Sequence, residues 1–329
     1  MSRAGLFAAR ARAGVVKPAV DAQEDPRIRV DLAHLRKLGA RARGLSFLPR
    51  QKAQSVLNGR HASRLRGRGL NFEELRPYLA GDDVRAIDWK VTARTGTPYI
   101  RVYTEERDRP ALLVVDQRMS MFFGSRLNMK SVTAAEVAAL AAYRILDQGD
   151  RIGGIIFGDA LLAEIRPERS RRALNRVQSA IARAQTQLRA DAPPVAPMPL
   201  NRPLEAVARI ARRDHLIVIL SDFDEVDART ETLLGGLARH NDVIVGLVTD
   251  PTDQVMSLSP RLVASDGRLQ AEIDIGSDAV RRSMAEFLSG RVGEIMGWTR
   301  RHGIPVLPLS AGEETLPQLM RLFGLAGGR

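Results

Sequence analysis

Two short acidic stretches carry the chemistry this chain could do. Asp116-Gln-Arg-Met-Ser120 follows the apolar run Ala-Leu-Leu-Val-Val at 111–115, and Ser221-Asp222-Phe223-Asp224 follows His-Leu-Ile-Val-Ile-Leu at 215–220. Aspartate and serine oxygens are hard donors of the kind that Mg²⁺ takes in a near-octahedral shell. A pair of strand-end carboxylates such as Asp222 and Asp224 could also serve metal-assisted hydrolysis. In strand-end loops such groups are more often ligands or caps than catalysts. Arg118, between Asp116 and Ser120, complicates a metal reading. A guanidinium is permanently charged and matches a carboxylate in a bidentate fork. It either enters the site as an internal cation, in competition with any dication, or points away to solvent.

The elements needed to bring these stretches together can be read from periodicity. Unbroken apolar runs of five or six residues are buried strands, and ligands in open α/β sheets bind at the carboxyl ends of such strands. From Arg109 onward strands and helices alternate, which predicts an α/β fold with a doubly wound, mostly parallel six-stranded sheet. The predicted sheet strands are 111–115, 151–157, 161–166, 215–220, 242–248 and 304–308. The Gly158-Asp159 turn makes 161–166 antiparallel to its predecessor. Right-handed crossovers then order the strands 3-2-1-4-5-6. Helices are expected at 128–148, 170–188, 202–212, 228–239, 278–301 and 315–323, with a hairpin at 261–275. Trp298, with Phe287, Val292 and Ile295 on the long helix, reads as core.

The chain has 329 residues, 44% of them hydrophobic, and no cysteine, so disulfides, thiolate metal sites and cysteine nucleophiles are excluded. No stretch reaches the roughly 20 apolar residues of a membrane helix, and the first residues lack the apolar core of a secretory signal. A cytoplasmic location is the expectation. The net charge of +12 is lopsided: residues 1–109 hold 23 Lys+Arg against 12 Asp+Glu, and the remainder 27 against 26. The first third is therefore the basic part. Residues 1–26 read as a disordered tail. Residues 27–107 read as a basic region packed on a domain spanning 108–329. Within it, 31–43 is a short amphipathic helix with Asp31 as N-cap. The segment 72–78 reads as a helical turn stopped by Pro77, and 99–105 as a strand. Arg60, His61, Arg64, Arg66 and Arg68 are spaced for phosphate contacts, so nucleic-acid or anion binding is an alternative function. No aromatic residue interleaves with them to stack bases. Trp89 reads as an anchor fastening this region to the sheet domain, and Arg76, Asp83, Arg85 and Asp88 as a charge network there. Arg85 is a candidate partner-docking residue.

Enzyme signatures are weak. The five histidines are scattered without metal-ligand spacing, and phosphate loops and the hydrolase Gly-x-Ser-x-Gly elbow are absent. A non-enzymatic role is the expectation.

The strand-Asp-x-x-x-Ser start and the later Ser-Asp-Phe resemble the von Willebrand factor A-like fold. The block from Gly67 to Arg94, Gly-Arg-Gly-Leu-Asn-Phe-Glu-Glu-Leu-Arg-Pro-Tyr-Leu-Ala-Gly-Asp-Asp-Val-Arg-Ala-Ile-Asp-Trp-Lys-Val-Thr-Ala-Arg, resembles the signature of the bacterial family called domain of unknown function 58. That resemblance implies a protein-interaction module, adaptor or co-chaperone, whose partner is a MoxR-type AAA+ ATPase or its client during complex maturation. It also implies a metal-ion-dependent adhesion site in degenerate form. Asp116, Ser120 and Asp222 match its ligands, and Asp224 is a second carboxylate nearby. Arg118 replaces a serine. Where a threonine is expected, Asn201 could offer an oxygen and Arg202 could not. Bound Mg²⁺ is thus disfavoured, and no cofactor is expected. The partner-binding candidates are Asp116, Arg118, Ser120, Asp222, Asp224 and Arg85.

Overall fold

The computed structural model describes residues 25–42, 70–105, 109–160, 162–189, 196–251, 261–265, 270–274, 290–298 and 300–323. The predicted tail, the arginine-rich stretch 58–69 and Phe287 therefore lie outside the described residues, apart from Asp25 and Pro26. The chain divides into two compact units, one comprising 1–47 with 109–329 and the other 48–108.

The smaller unit is built on a hairpin-like pair, β1 (Leu70–Pro77) and β2 (Tyr99–Glu105), antiparallel with a register shift between Phe72 and Glu74. The helical turn expected at 72–78 is thus a strand. Its apolar spacing is short enough to suit either period, and pairing with β2 decides in favour of the strand. Pro77 sits at its end, where the missing N–H costs least. Between the strands, Asp88 caps helix α3 (Trp89–Thr95), accepting from the backbone of Lys90 and Val91. Gly96 ends it in the left-handed region at φ 76°, a conformation glycine adopts without Cβ strain. Among the described residues Arg76 pairs with Asp82 and Arg101 with Asp88. Arg85 and Trp89 are exposed, Trp89 by 68%.

The larger unit is an α/β layer structure. Its six-stranded sheet runs β10 (Val306–Ser310), β7 (Asp242–Thr249), β6 (Leu216–Ser221), β3 (Pro110–Asp116), β4 (Arg151–Phe157), β5 (Leu162–Glu168). All neighbours are parallel except the β4–β5 pair at one edge. There the register shifts between Ile152 and Gly154, and a Cβ on Gly153 would run into the β5 backbone at Ile165 and Pro167. β8 (Arg261–Ser265) and β9 (Gln270–Asp274) form a separate antiparallel hairpin.

Helices α1 (Leu32–Lys37), α2 (Gly39–Ala42), α4 (Lys130–Asp147), α5 (Arg171–Gln187) and α9 (Thr315–Leu322) form one layer, in which α4 packs on the sheet, α5, α1, α2 and α9. Asp31 caps α1 as expected and Leu35 is fully buried, a burial that contributes about 1.5–3 kcal/mol. The opposite layer holds α6 (Asn201–Ile210), α7 (Ala228–Ala238) and α8, described over 290–298 and 300–302. Leu112, Val114, Ile217 and Ile219 point into that second core with Leu204, Val207, Leu234, Ile295 and Trp298. By the period of two along β3, Asp116 shares the face of Leu112 and Val114. Among the described residues no helix is long and apolar enough to cross a membrane.

Candidate functional site

Asp116 ends β3 and Asp222 follows β6, its immediate neighbour. The chain leaves β3 for α4 on one side of the sheet and β6 for α7 on the other, so the two strand ends flank a topological switch. A crevice opens at such a point because the loops diverge. The aspartates that lie about a hundred residues apart in sequence thus meet.

Arg118 occupies that crevice. Its side chain is 2% exposed and turns back onto Asp116: Nε donates to Oδ1 and Oδ2 at 3.1 Å each, and Nη2 to Oδ2 at 2.8 Å. Nη1 donates to the Met198 carbonyl at 3.1 Å, and Nη2 also reaches the Asp224 carbonyl at 3.3 Å. Its guanidinium lies over the Phe157 ring at 5.7 Å and stands 3.9 Å from Asp222 Oδ1. Of the two orientations open to Arg118, the structure shows the inward one. Ser221 completes the shell of Asp116, its hydroxyl donating to Oδ2 at 2.6 Å while it accepts from the Phe223 N–H at 2.9 Å.

Asp222 has a second cation. Lys130 Nζ, on the first residue of α4, donates to Oδ2 at 2.7 Å. Oδ1 accepts from the Asp224 N–H at 3.1 Å and from Ser120 Oγ at 3.4 Å. Asp224 pairs with Arg291 of α8 at 3.0 Å. Three carboxylates are therefore matched by three cations. Lys130 and Arg291 were not legible in the sequence as members of this site. The loop 122–129 that delivers Lys130 turns tightly, and a Cβ on Gly124 would collide with the Asn128 carbonyl.

The electrostatics follow from burial and these pairings. Burial pushes the Asp116 carboxyl above its ordinary value; Arg118 pulls it down by charge and hydrogen bonds, and the nearby Asp222 charge adds to the rise. The groups around both Asp116 oxygens are donors, leaving a carboxyl proton nothing to bond to. Asp116 is therefore a carboxylate at neutral pH, held by its guanidinium. Burial also works to raise Asp222, yet Lys130 and then Arg118 outweigh it and hold that carboxyl below its usual range. Burial opposes the charge on Arg118, and Asp116, Asp222 and Asp224 more than offset it.

The backbone beyond Asp222 is unusual. Phe223 (φ 52°) and Glu225 (φ 61°) both occupy the left-handed region, which is uncommon for residues other than glycine. Packing holds the first of them: the buried Phe223 ring meets Trp298 edge-on, with centroids 5.4 Å apart. Trp298 is core, as the sequence suggests.

The residues present do not suit a dication. Each Asp116 oxygen is taken by Arg118 or Ser221, and a metal beside Asp222 would face a guanidinium and an ammonium. Among the described residues no cluster of three or more metal-ligating side chains occurs. Of the candidate metal ligands, Asp116, Ser120 and Asp222 do converge. Asn201 does not join them. Its amide donates to Asp227 and its Oδ1 accepts from Thr230, bracing the capping box of α7. Arg202 is exposed. Arg85 belongs to the smaller unit, so the sheet unit's five candidates form one cluster to which Arg85 is not assigned. Three histidines make structural contacts, His34 with Glu136, His302 with Glu231 and His215 with the Arg213 carbonyl.

The fold and site thus define an α/β protein with a buried, charge-balanced aspartate cluster at the carboxyl ends of its central strands. A family model described as "Protein of unknown function DUF58" matches residues 74–290, and the chain belongs to that family. It is also similar to uncharacterised proteins of Mycobacterium bovis and of two strains of Mycobacterium tuberculosis, each 30% identical over 290 residues that cover 87% of this chain and 88% of the relative.

Proposed function

We propose that this protein is a non-enzymatic interaction module, an adaptor or co-chaperone that works with a MoxR-type AAA+ ATPase or its client in protein-complex maturation. The sheet unit is proposed to be von Willebrand factor A-like, with strand-end loops serving as the contact face and no metal taking part. The observation that carries the reading is the bidentate burial of Arg118 on Asp116. It removes the groups best suited to acid–base or metal chemistry from contact with any substrate. What remains presented at the rim is a shaped loop surface, including the exposed Met119 and the partly exposed Ser120. Internal ion pairing then sets the shape of the loops, and a partner reads the shape.

The test is affinity purification of the tagged protein from its native host, comparing wild type with Met119→Asp. Met119 lies outside the ion cluster, so the variant should keep its melting temperature. The expected result is an AAA+ ATPase retained by wild type and depleted with the variant. Equal retention by both would remove the loops from the interface, and absence of any ATPase would remove the partner.

A further inference from the structure

Of the seven large apolar side chains exposed among the described residues, Leu75, Leu79, Val84 and Trp89 fall within fifteen residues of the smaller unit. Single exposed apolar residues are ordinary; a concentration containing a 68% exposed tryptophan is not. α3 presents Trp89, Lys90, Ala93 and Arg94 outward, the i, i+1, i+4, i+5 spacing of one helix face. Val84 and Arg85 lie on the short 3₁₀ turn just before it, both exposed.

The charges around this face are unevenly used. Asp82 is held by Arg76 and by the Leu79 N–H. Asp88 is buried, held by Arg101, and caps α3. Asp83 accepts from the Arg85 N–H. The acidic side chains thus hold the backbone of the face in place, whereas Arg85, Lys90 and Arg94 form no ion pair among the described residues. The result is an exposed, capped helix and preceding turn that carry Trp89 and Val84 together with three cations that make no ion pair among the described residues. Tryptophan and arginine are the residues that dominate protein-interface energetics. Three cations fall short of the 4–8 of a polybasic lipid site. A lone exposed tryptophan offers one stacking platform, where single-stranded nucleic acid is tracked by several.

We propose that this face binds an acidic protein segment carrying an apolar anchor side chain, with Trp89 covering the anchor and Arg85, Lys90 and Arg94 meeting its carboxylates. The proposal rests on the interaction-module reading and locates a contact in the smaller unit.

The chain's two tryptophans make it directly measurable. Trp298 is buried and Trp89 exposed, so acrylamide should quench one emitter and spare the other. The probes are a capped peptide alternating glutamate pairs with leucine, the same peptide with glutamine for glutamate, phosphatidylglycerol vesicles, and random duplex DNA, each added to the full chain. The acidic peptide should shift Trp89 emission to the blue and protect it from acrylamide, with the effect weakening as salt is raised. The glutamine peptide should not. In Lys90→Glu/Arg94→Glu the dissociation constant should rise at least about fivefold, with Trp298 emission and melting temperature unchanged. No response to the acidic peptide, an equal response to the glutamine peptide, or a response to vesicles or DNA in its place would overturn the proposal. So would protection of both tryptophans in the protein alone, because the face would already be covered. Failure here would leave the co-purification result standing, since that result is read at Met119 in the other unit.

Discussion

Replacing Arg118 with methionine removes one charge from the interior at nearly constant volume. Asp116 is 0% exposed and would keep only the Ser221 hydroxyl and the backbone N–H of residue 118, which donates to Oδ1 at 3.0 Å. Breaking a buried pair by deleting one partner costs about 3–5 kcal/mol, because the survivor stays buried and uncompensated. For a unit of this size that corresponds to a melting temperature lowered by about 6–20 °C. Scanning calorimetry and guanidinium unfolding at neutral pH measure it. Asp116→Asn supplies the control. In that background there is no stranded carboxylate, so Arg118→Met should cost much less, and the difference between the two costs is the coupling energy. The pH dependence has a definite sign. Without Arg118 the folded-state value of Asp116 rises further above the unfolded 3.8. A group raised in the folded state contributes stability that is full below its unfolded value and lost as pH climbs through its folded value. The deficit of the variant should therefore be largest at neutral pH and narrow on acidification. A cost at neutral pH below about 1 kcal/mol, the scale of an exposed pair, or an equal cost in the Asp116→Asn background, would refute the internal-cation account.

Lys130→Met should destabilise by about 3 kcal/mol, the lower end for a buried pair. Lys130 is partly exposed, and Arg118 still lies 3.9 Å from the carboxylate it leaves behind. Denaturant midpoints at unchanged slope would check it. The wild-type protein should lose stability as pH falls below about 4. Asp82, Asp88, Asp222 and Asp227 are all depressed from 3.8, and Glu231 from 4.5, so the unfolded state takes up protons first and stability drains as pH falls through their folded values. Asp116 acts in the opposite direction, and melting temperatures measured from pH 7 down to pH 3 should still fall.

The positions of the sheet strands were legible because a buried strand announces itself locally: 111–115, 151–157 and 242–248 are apolar runs that need no knowledge of the rest of the chain. The same holds for the capped helix starting at Leu32, where Asp31 and the leucine spacing are neighbours in sequence. The segment 72–78 was misread for the converse reason. Its strand state depends on pairing with residues 99–105, and its own residues fit two periods. Trp89 shows a further limit. An aromatic beside a helix start is usually buried, and only the three-dimensional placement shows which side of a short capped helix faces outward.

The aspartate cluster divides along the same line. The carboxylates were readable, since Asp116 closes β3, Asp222 and Asp224 directly follow β6, and the sheet topology forces the two strands together. Their counter-charges were not. Lys130 lies 92 residues from Asp222 and Arg291 follows a long stretch after Asp224, and nothing in composition separates these two cations from the other 48 of the chain. Arg118 is the exception, as it is two residues from its partner and at such a spacing a guanidinium can fold back onto the carboxylate. This asymmetry bears on function. A dication would bind the three acids through one exchangeable centre, whereas three side-chain cations, drawn from the β3 loop, α4 and α8, tie each acid to a different element. Exchange of a metal can be reversible and fast; disengaging Arg118 would strand a buried charge at a cost of several kcal/mol. Loops tied in this way keep one shape, which suits a surface that another protein must recognise repeatedly.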